Sequence, residues 1–362
     1  MHSLTSKPRL PFRTLIAHGW WPSFLKVAYY RLLGYRLGRN VRLAFGSVII
    51  GRDVERGDGT QVGFFAVLRG ERLHLGKRVQ IGALCFLDTP RLQIGDDSKF
   101  NEQVFVGGLQ GPASSLTVGR RSQIQQLTFI NPAVSVTIGD NTSIGGHTLI
   151  FGHQSWLSVL DGYPADFRPI EIGSNVGVAW RVFIGPGAKI GDGAMIGTNS
   201  LVNRTIPPRC LAMGTPAKVI AREPYFPRRQ DEAERIALLQ NIVGEFERFL
   251  TGHGFSCKHR ANGLSVDLAT HLGSSGAESQ GSLRLRYRAG EQHQCDQSPG
   301  GQLVYLSLVP VASGERGQFT RSGVLWLDIA SCERGSVEHA FGGEVIQFLL
   351  RFGIRFACLE RE

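Results

Sequence analysis

Ile172-Gly173-Ser174-Asn175-Val176-Gly177 opens a run in which an aliphatic residue returns every six positions, at Val178, Ile184, Ile190 and Ile196. Ordinary sheets and nucleotide-binding βαβ units do not repeat an aliphatic-Gly pair in steps of six. The period belongs to a solenoid whose aliphatic side chains point into a narrow prism and stack on the coil below. Three hexapeptides close one coil of about eighteen residues. The Gly beside each aliphatic residue is expected to permit the tight corner between flat faces.

The pattern extends outward from this run. Aliphatic-Gly pairs recur from Ile50-Gly51 to Ile196-Gly197, and coil starts fall at Leu75, Ile94, Val118, Ile138, Ile172 and Ile190. The steps between them are 19, 24, 20, 34 and 18 residues. The 24-residue step implies a small loop near Gly107–Ser115. The 34-residue step implies an excursion from about Gln154 to Arg168. A long ordered loop on a rigid solenoid is where function is usually placed. Prolines end the ladder after Arg204-Thr205-Ile206-Pro207-Pro208. The fold expected for residues 37–222 is a left-handed parallel β-helix.

The flanks read differently. Residues 1–36 form a basic amphipathic helical arm. Residues 1–42 carry eight Lys/Arg and no acid, interleaved with Trp20, Trp21, Phe24, Tyr29, Tyr30 and Tyr35. That pattern suits peripheral contact with an anionic membrane surface, or a helix that caps the first coil. Residues 223–362 predict a small α+β domain. Its helix carries Ile236, Leu239, Ile242, Phe246, Phe249 and Leu250. Strands are expected at Leu303–Leu308 and Val324–Ile329, and a second helix over Val345–Phe352 with Gly353 as its C-cap. Polar loops are expected at Gly273–Gln280 and Gly290–Gly301.

Composition sets limits. Of 362 residues 46 are Gly and only 19% are charged, which favours a turn-rich β protein over a helix bundle. No apolar run reaches the ~20 residues of a membrane span, and no signal peptide is evident, so a cytoplasmic or membrane-peripheral protein is expected. Net charge is +10. Six scattered cysteines without a C-x-x-C pair read as free thiols rather than a metal site or a disulfide framework.

The segment Leu116–Arg222 resembles the hexapeptide-repeat O-acetyltransferases of the maltose, galactoside and nodulation type. Arg168-Pro169-Ile170-Glu171-Ile172-Gly173, Ile184-Gly185-Pro186-Gly187 and Gly214-Thr215-Pro216-Ala217-Lys218-Val219-Ile220 carry the likeness. In that family a catalytic histidine precedes the K-P-V-x-I-G segment across a long loop. By resemblance that residue is His153, sixteen residues before Pro169, and it also opens the excursion. A neutral imidazole there would accept the proton of a sugar hydroxyl attacking a thioester. His147 is the runner-up, with Asp161 and Asp166 as candidate orienters. The resemblance puts acceptor contacts at Gln125 and Asn131, a family Asp having become Pro132. It puts CoA contacts at Trp180, Thr198, Asn203, Arg204 and Lys218. A family Trp is Gly177 here, which implies a reshaped donor groove. It further implies acetyl-CoA or another acyl-CoA as co-substrate, no metal, a sugar or glycan acceptor and a homotrimer.

The function that follows is CoA-dependent O-acyl transfer, most simply O-acetyl transfer, to a sugar hydroxyl in cell-surface polysaccharide or lipid-linked glycan synthesis. Alternatives are a catalytically altered binding scaffold and an acyltransferase for a small non-sugar metabolite. A zinc carbonic anhydrase on the same solenoid needs three histidines, and only His147 and His153 lie close in sequence. A sugar nucleotidyltransferase would need a Gly-rich nucleotide loop before the solenoid. Nothing points to nucleic acid.

Overall fold

In the computed structural model, residues 12–260, 263–267, 280–286 and 301–359 are described. The chain divides into two units, Met1–Arg229 and Gln230–Glu362.

The first unit is the left-handed β-helix. Its coils stack strands into three parallel sheets of nine, ten and eight strands. The first sheet runs from Arg36–Leu37 to Thr205–Ile206, the second from Arg42–Leu43 to Ala217–Arg222, and the third from Val48–Ile50 to Leu201–Val202. Inward columns are continuous. Leu75, Ile94, Val118, Ile138, Ile172, Ile190 and Ile206 stand in register on the first sheet, each at most 3% exposed.

The corners differ from expectation in one respect. The Gly following each inward aliphatic residue does not make the turn. It lets the next coil come close: a Cβ at Gly173 would lie 2.2 Å from the Asp192 carboxylate. The turn itself uses a left-handed residue further on, such as Asn141, Asn175 or Arg181, with φ near 55–60°. The prolines also do not end the ladder. Pro207-Pro208 sits at a corner, and Cys210–Gly214 then adds a further parallel strand beside Met195–Ile196. A corner residue need not donate its N–H to the ladder, so proline costs nothing there. The closing strand Ala217–Arg222 runs antiparallel.

Two helices close the N-terminal end, α1 (Phe12–His18) and α2 (Ser23–Leu32). The expected arm is therefore two helices broken at Pro22, and α2 is part of the core. Tyr30 is 1% exposed, and its hydroxyl accepts from the Ile49 N–H at 3.0 Å. Lys26 is fully buried and donates to the carbonyls of Ala44 at 2.7 Å and Ser47 at 3.1 Å. Burial takes its pKa down to about 8. Arg56 stands one coil below Leu75 in the inward column, and no hydrogen bond reaches its guanidinium nitrogens. Burial lowers its pKa to about 10.

The second unit is a seven-stranded mixed sheet with α3 (Glu232–Gly252), α4 (Ser313–Arg321) and α5 (Ala340–Leu350). Asp231 and Glu234 form a capping box at the start of α3. The apolar face of α3 buries Leu239, Val243, Phe246 and Leu250 in a core with Leu306 and Phe348. Strands Gln302–Ser307 and Leu325–Asp328 meet the expectation. The last helix starts five residues earlier than expected, and Gly353, left-handed at φ 74°, lies three residues beyond it. Most of the two expected polar loops, 273–279 and 290–300, lies outside the described residues; Gln280 itself opens a strand.

Candidate functional site

Two edges of the prism carry the polar residues singled out above. The chain turns from the second sheet to the third at one edge and from the third sheet into the next coil of the first at the other.

Both excursions leave from the third–first edge. The shorter, 107–114, follows Phe105–Val106. It is pinned by Ser114 Oγ donating to Ala133 O at 2.9 Å and by Gln110 Nε2 donating to Asp88 O at 2.7 Å. The longer is a β-hairpin: His153–Ser155 pairs antiparallel with Ala165–Phe167, and a 3-10 turn at Val159–Asp161 lies between them. Its return is held by the Arg168–Asp166 ion pair at 2.5 Å. The Arg168 guanidinium lies over Gly187 of the next coil. One corner, Asn131 to Val134, separates the two excursions.

His153 is the hairpin's first residue and pairs with Phe167. Its ring lies between Phe167 (centroids 5.8 Å apart, stacked) and Phe151 (6.1 Å). Phe151 belongs to an outward stack of five rings, Phe86, Phe105, Phe129, Phe151 and Phe183, at spacings of 4.9–5.6 Å. This apolar surround desolvates the imidazole and lowers its pKa below the ordinary histidine value. Nδ1 is buried without a hydrogen-bond partner. Nε2 makes no hydrogen bond and is not among the sealed atoms. Neither candidate orienter reaches the ring. Asp166 is committed to Arg168, which holds its carboxyl below the usual range. Asp161 lies exposed in the 3-10 turn.

Asn131 shares this edge. It is 4% exposed, lies opposite Phe151 in the ladder and packs against Gly108 of the shorter loop. Its Oδ1 is buried without a partner. Gly152, just before His153, donates its N–H to Asn131 O at 2.9 Å. Asn203 and Arg204 turn the same edge two coils on, both exposed.

The second–third edge holds the remaining residues. His147 is an exposed left-handed corner residue at φ 55°, with its N–H donated to Gln126 O at 3.2 Å. Trp180 lies over Gly146, with its ring 5.9 Å from that of His147. Thr198 is exposed one coil further. Lys218, also exposed, pairs with Met213, whose side chain covers Gly197. Gln125 lies just before this edge, and its amide is spent within the fold: Oε1 accepts from Asn101, and Nε2 donates to Gln123 at 3.4 Å. The structure thus brings His153, Asn131, Asn203 and Arg204 to one edge. Trp180, Thr198, Lys218, Gln125 and His147 line the other. Gly177 faces open space, its added Cβ meeting only Met195 at 3.7 Å.

Sequence reasoning missed the two aromatic neighbours of His153. Phe167 was inside the expected excursion, and the phenylalanines recur once per coil, a signal available in the spacing. Among the described residues no group of three or more His, Cys, Asp or Glu is arranged to hold a metal ion. An open concavity of about 630 Å³ on the first sheet, bordered by Pro169, Glu171, Lys189 and Pro208, does not include His153.

Comparisons with known proteins find relatives of the solenoid segment. The solenoid segment is similar to hexapeptide-repeat acetyltransferases. The galactoside O-acetyltransferase of Escherichia coli K12 is 35% identical over 109 residues, 30% of this chain and 54% of that protein. A putative acetyltransferase of Schizosaccharomyces pombe, C18B11.09c, is 33% identical over 105 residues, 26% of this chain and 46% of that protein. The chain thus spans about half the length of these curated relatives. Among solved structures, the hexapeptide-repeat acetyltransferase VCA0836 of Vibrio cholerae complexed with acetyl coenzyme A is 25% identical. That match covers 36% of this chain and 70% of that one, with a TM-score of 0.31. No family model matches the chain.

Proposed function

We propose that the protein is an acetyl-CoA-dependent O-acetyltransferase whose acceptor is a sugar hydroxyl of a cell-surface polysaccharide or lipid-linked glycan, with His153 as general base. The observation that carries this reading is the state of His153: a desolvated, ion-pair-free imidazole at the root of the excursion, its ring wedged between two phenyl rings. Desolvation keeps the ring neutral at physiological pH, the form that can accept a proton. The acceptor hydroxyl gives its proton to the imidazole as its oxygen attacks the thioester carbonyl. The C–S bond breaks as the ester forms, and the proton passes to the leaving thiolate. A backbone N–H from a facing coil would hold the oxyanion.

The corner between the two excursions is the acceptor site in this reading. Asn131, at the corner between the excursions, is the better supported acceptor contact, because the amide of Gln125 is already engaged. The donor residues fit the chemistry of CoA: Arg204 and Lys218 are exposed cations for phosphate, and Trp180 offers an exposed ring. They sit on two different edges of one prism. A trimer of parallel solenoids would set the Trp180 edge of one copy against the His153 edge of the next, and cyclic symmetry suits such a contact. The basic N-terminal segment, residues 1–36, would keep the enzyme at an anionic membrane where a lipid-linked acceptor is found.

The test is direct. Surface glycan from cells with the protein should carry an acetyl mass that is missing from cells without it and from cells with His153→Ala. Identical glycans in all three would remove the reading. Light scattering on the purified chain checks the trimer, and a clean monomer would leave the donor site split.

A further inference from the structure

The cap end of the prism buries more positive charge than the fold answers. Arg56 stands in the inward column of the first sheet, between Leu37 and Leu75, and is 2% exposed. Its three guanidinium nitrogens are sealed from solvent, and none finds an acceptor among the described residues. Tyr30 and Tyr35 lie close enough to act on its charge, yet both hydroxyls are spent elsewhere. Tyr30 Oη accepts from the Ile49 N–H and hydrogen-bonds His18 Nε2, each at 3.0 Å. Tyr35 Oη accepts from the Gly51 N–H at 3.1 Å and donates to the Gly51 carbonyl at 3.0 Å.

A second buried cation shares this end. The Lys26 ammonium donates only to neutral acceptors of Ala44 and Ser47, and its charge reaches His18, the partner of Tyr30. No carboxylate answers either group. Residues 1–52 contain no Asp or Glu. The first acids along the chain are partly exposed and engaged outside the prism: Asp53 and Glu55 bind Arg36, and Asp58 binds Arg39. A guanidinium keeps its proton at neutral pH. Burying it with neither acceptor nor counter-charge is strongly unfavourable. A trapped water could accept from its N–H groups but would leave the charge unanswered.

We propose that the cap end of the prism binds a monatomic anion, a halide such as chloride, on the Arg56 guanidinium. The setting fixes the size class: the guanidinium is enclosed by the inward column and the helix that carries Tyr30, which leaves a phosphate or an organic carboxylate no way to fit. The anion supplies the charge that the cap lacks and makes closure of the prism end depend on halide. Acyl transfer plays no part in this inference.

Calorimetric melting of the full chain tests it, with potassium chloride exchanged for potassium gluconate at constant ionic strength. Gluconate is too large for the enclosed site. The wild-type melting temperature should rise by about 3–6 °C for each tenfold increase in chloride above the Kd. Arg56→Leu should remove that dependence, and in gluconate it should melt at or above the wild type, since leucine suits a column that continues through Leu75. Should Arg56→Leu not fold, Arg56→Met replaces it. Crystals of the wild type grown in bromide should show an anomalous peak within hydrogen-bond distance of the Arg56 guanidinium. An equal chloride slope in wild type and variant would be a general salt effect and would overturn the site. Water in place of bromide would overturn it too. A bromide peak without a wild-type chloride slope would be an adventitious ion only, with the same consequence.

Discussion

The two edges of the prism have the same backbone and opposite characters. At the second–third edge the chain turns tightly in every coil through a left-handed residue, and its side chains, His147 and Trp180 among them, stand out into solvent. At the third–first edge the coil is interrupted twice, and the excursions bury polar atoms the fold does not satisfy, Asn131 Oδ1 and His153 Nδ1. Buried polar atoms are nearly always hydrogen-bonded in folded proteins, so two orphans at neighbouring corners mark where the excursions break the regular ladder. A histidine six residues earlier in the chain lands on the other edge, exposed, with its backbone rather than its ring fixed. A regular solenoid makes every coil alike, and function sits where that regularity is broken.

The largest expected effect separates the two imidazoles. His153→Ala should lower acetyl transfer by about 10²–10⁴, the usual size of a lost general base, with CoA affinity nearly unchanged. His147→Ala should keep most activity. Transfer rate, CoA binding and melting temperature, measured on both variants, decide the matter. An inactive His147→Ala that still binds CoA would reverse the roles of the two edges.

A second contrast is between an edge and the interior it bounds. Ile144, three residues before His147, is fully buried in the inward column of the second sheet. Ile144→Ala should cost roughly 2–5 kcal/mol of stability, because the stacked coils cannot close the cavity. His153→Ala should cost far less, its ring being packed on the outside of the prism. Equal losses in denaturant melts would mean that the excursion is part of the core.

Much of this was legible in the sequence, and the physical reason is the stacking. Every inward aliphatic residue contacts its counterparts one coil away, so the six-residue period records the fold directly, and the two long steps, of 24 and 34 residues, record the excursions. That placed both excursions and put His153 at the root of one. What the period does not record is side-chain geometry across an edge. Gln125 and Asn131 lie six residues apart, a single face of the prism, and no pattern says that one amide is already spent on Asn101 while the other is left bare. Arg56 was equally hidden. It occupies a station that holds Leu75 and Ile94 in the next coils, and its burial depends on the helices closing the prism end. In the second unit, α4 has little apolar periodicity and escaped notice, whereas α3, with a regular apolar face, did not.

The Trp180 edge gives a smaller effect. If it holds the donor, Trp180→Ala should raise KM for acetyl-CoA about tenfold, the weight of one exposed ring stacked on a ligand, and change kcat less. An unchanged KM would remove Trp180 from the donor site and restrict it to packing over Gly146.

The smallest effect concerns the pH profile and bears on why His153 is a base at all. Its pKa lies below 6.5 because the surrounding rings desolvate the cation. The acting form is neutral, so kcat/KM should hold as pH falls through 6.5 and drop only through the lowered value. An unperturbed histidine would be about a quarter neutral at pH 6, so the wild type should lose less than about fourfold there relative to pH 8. Phe167→Ala opens one face of the ring to water. Rehydration favours the charged form and moves the acid limb up toward 6.5, which should cost the variant more activity at pH 6 than at pH 8. His147 lies on the other edge, so His147→Ala should leave the limb where it is. A limb that Phe167→Ala leaves in place and His147→Ala moves would assign the titration, and with it the base, to the second–third edge.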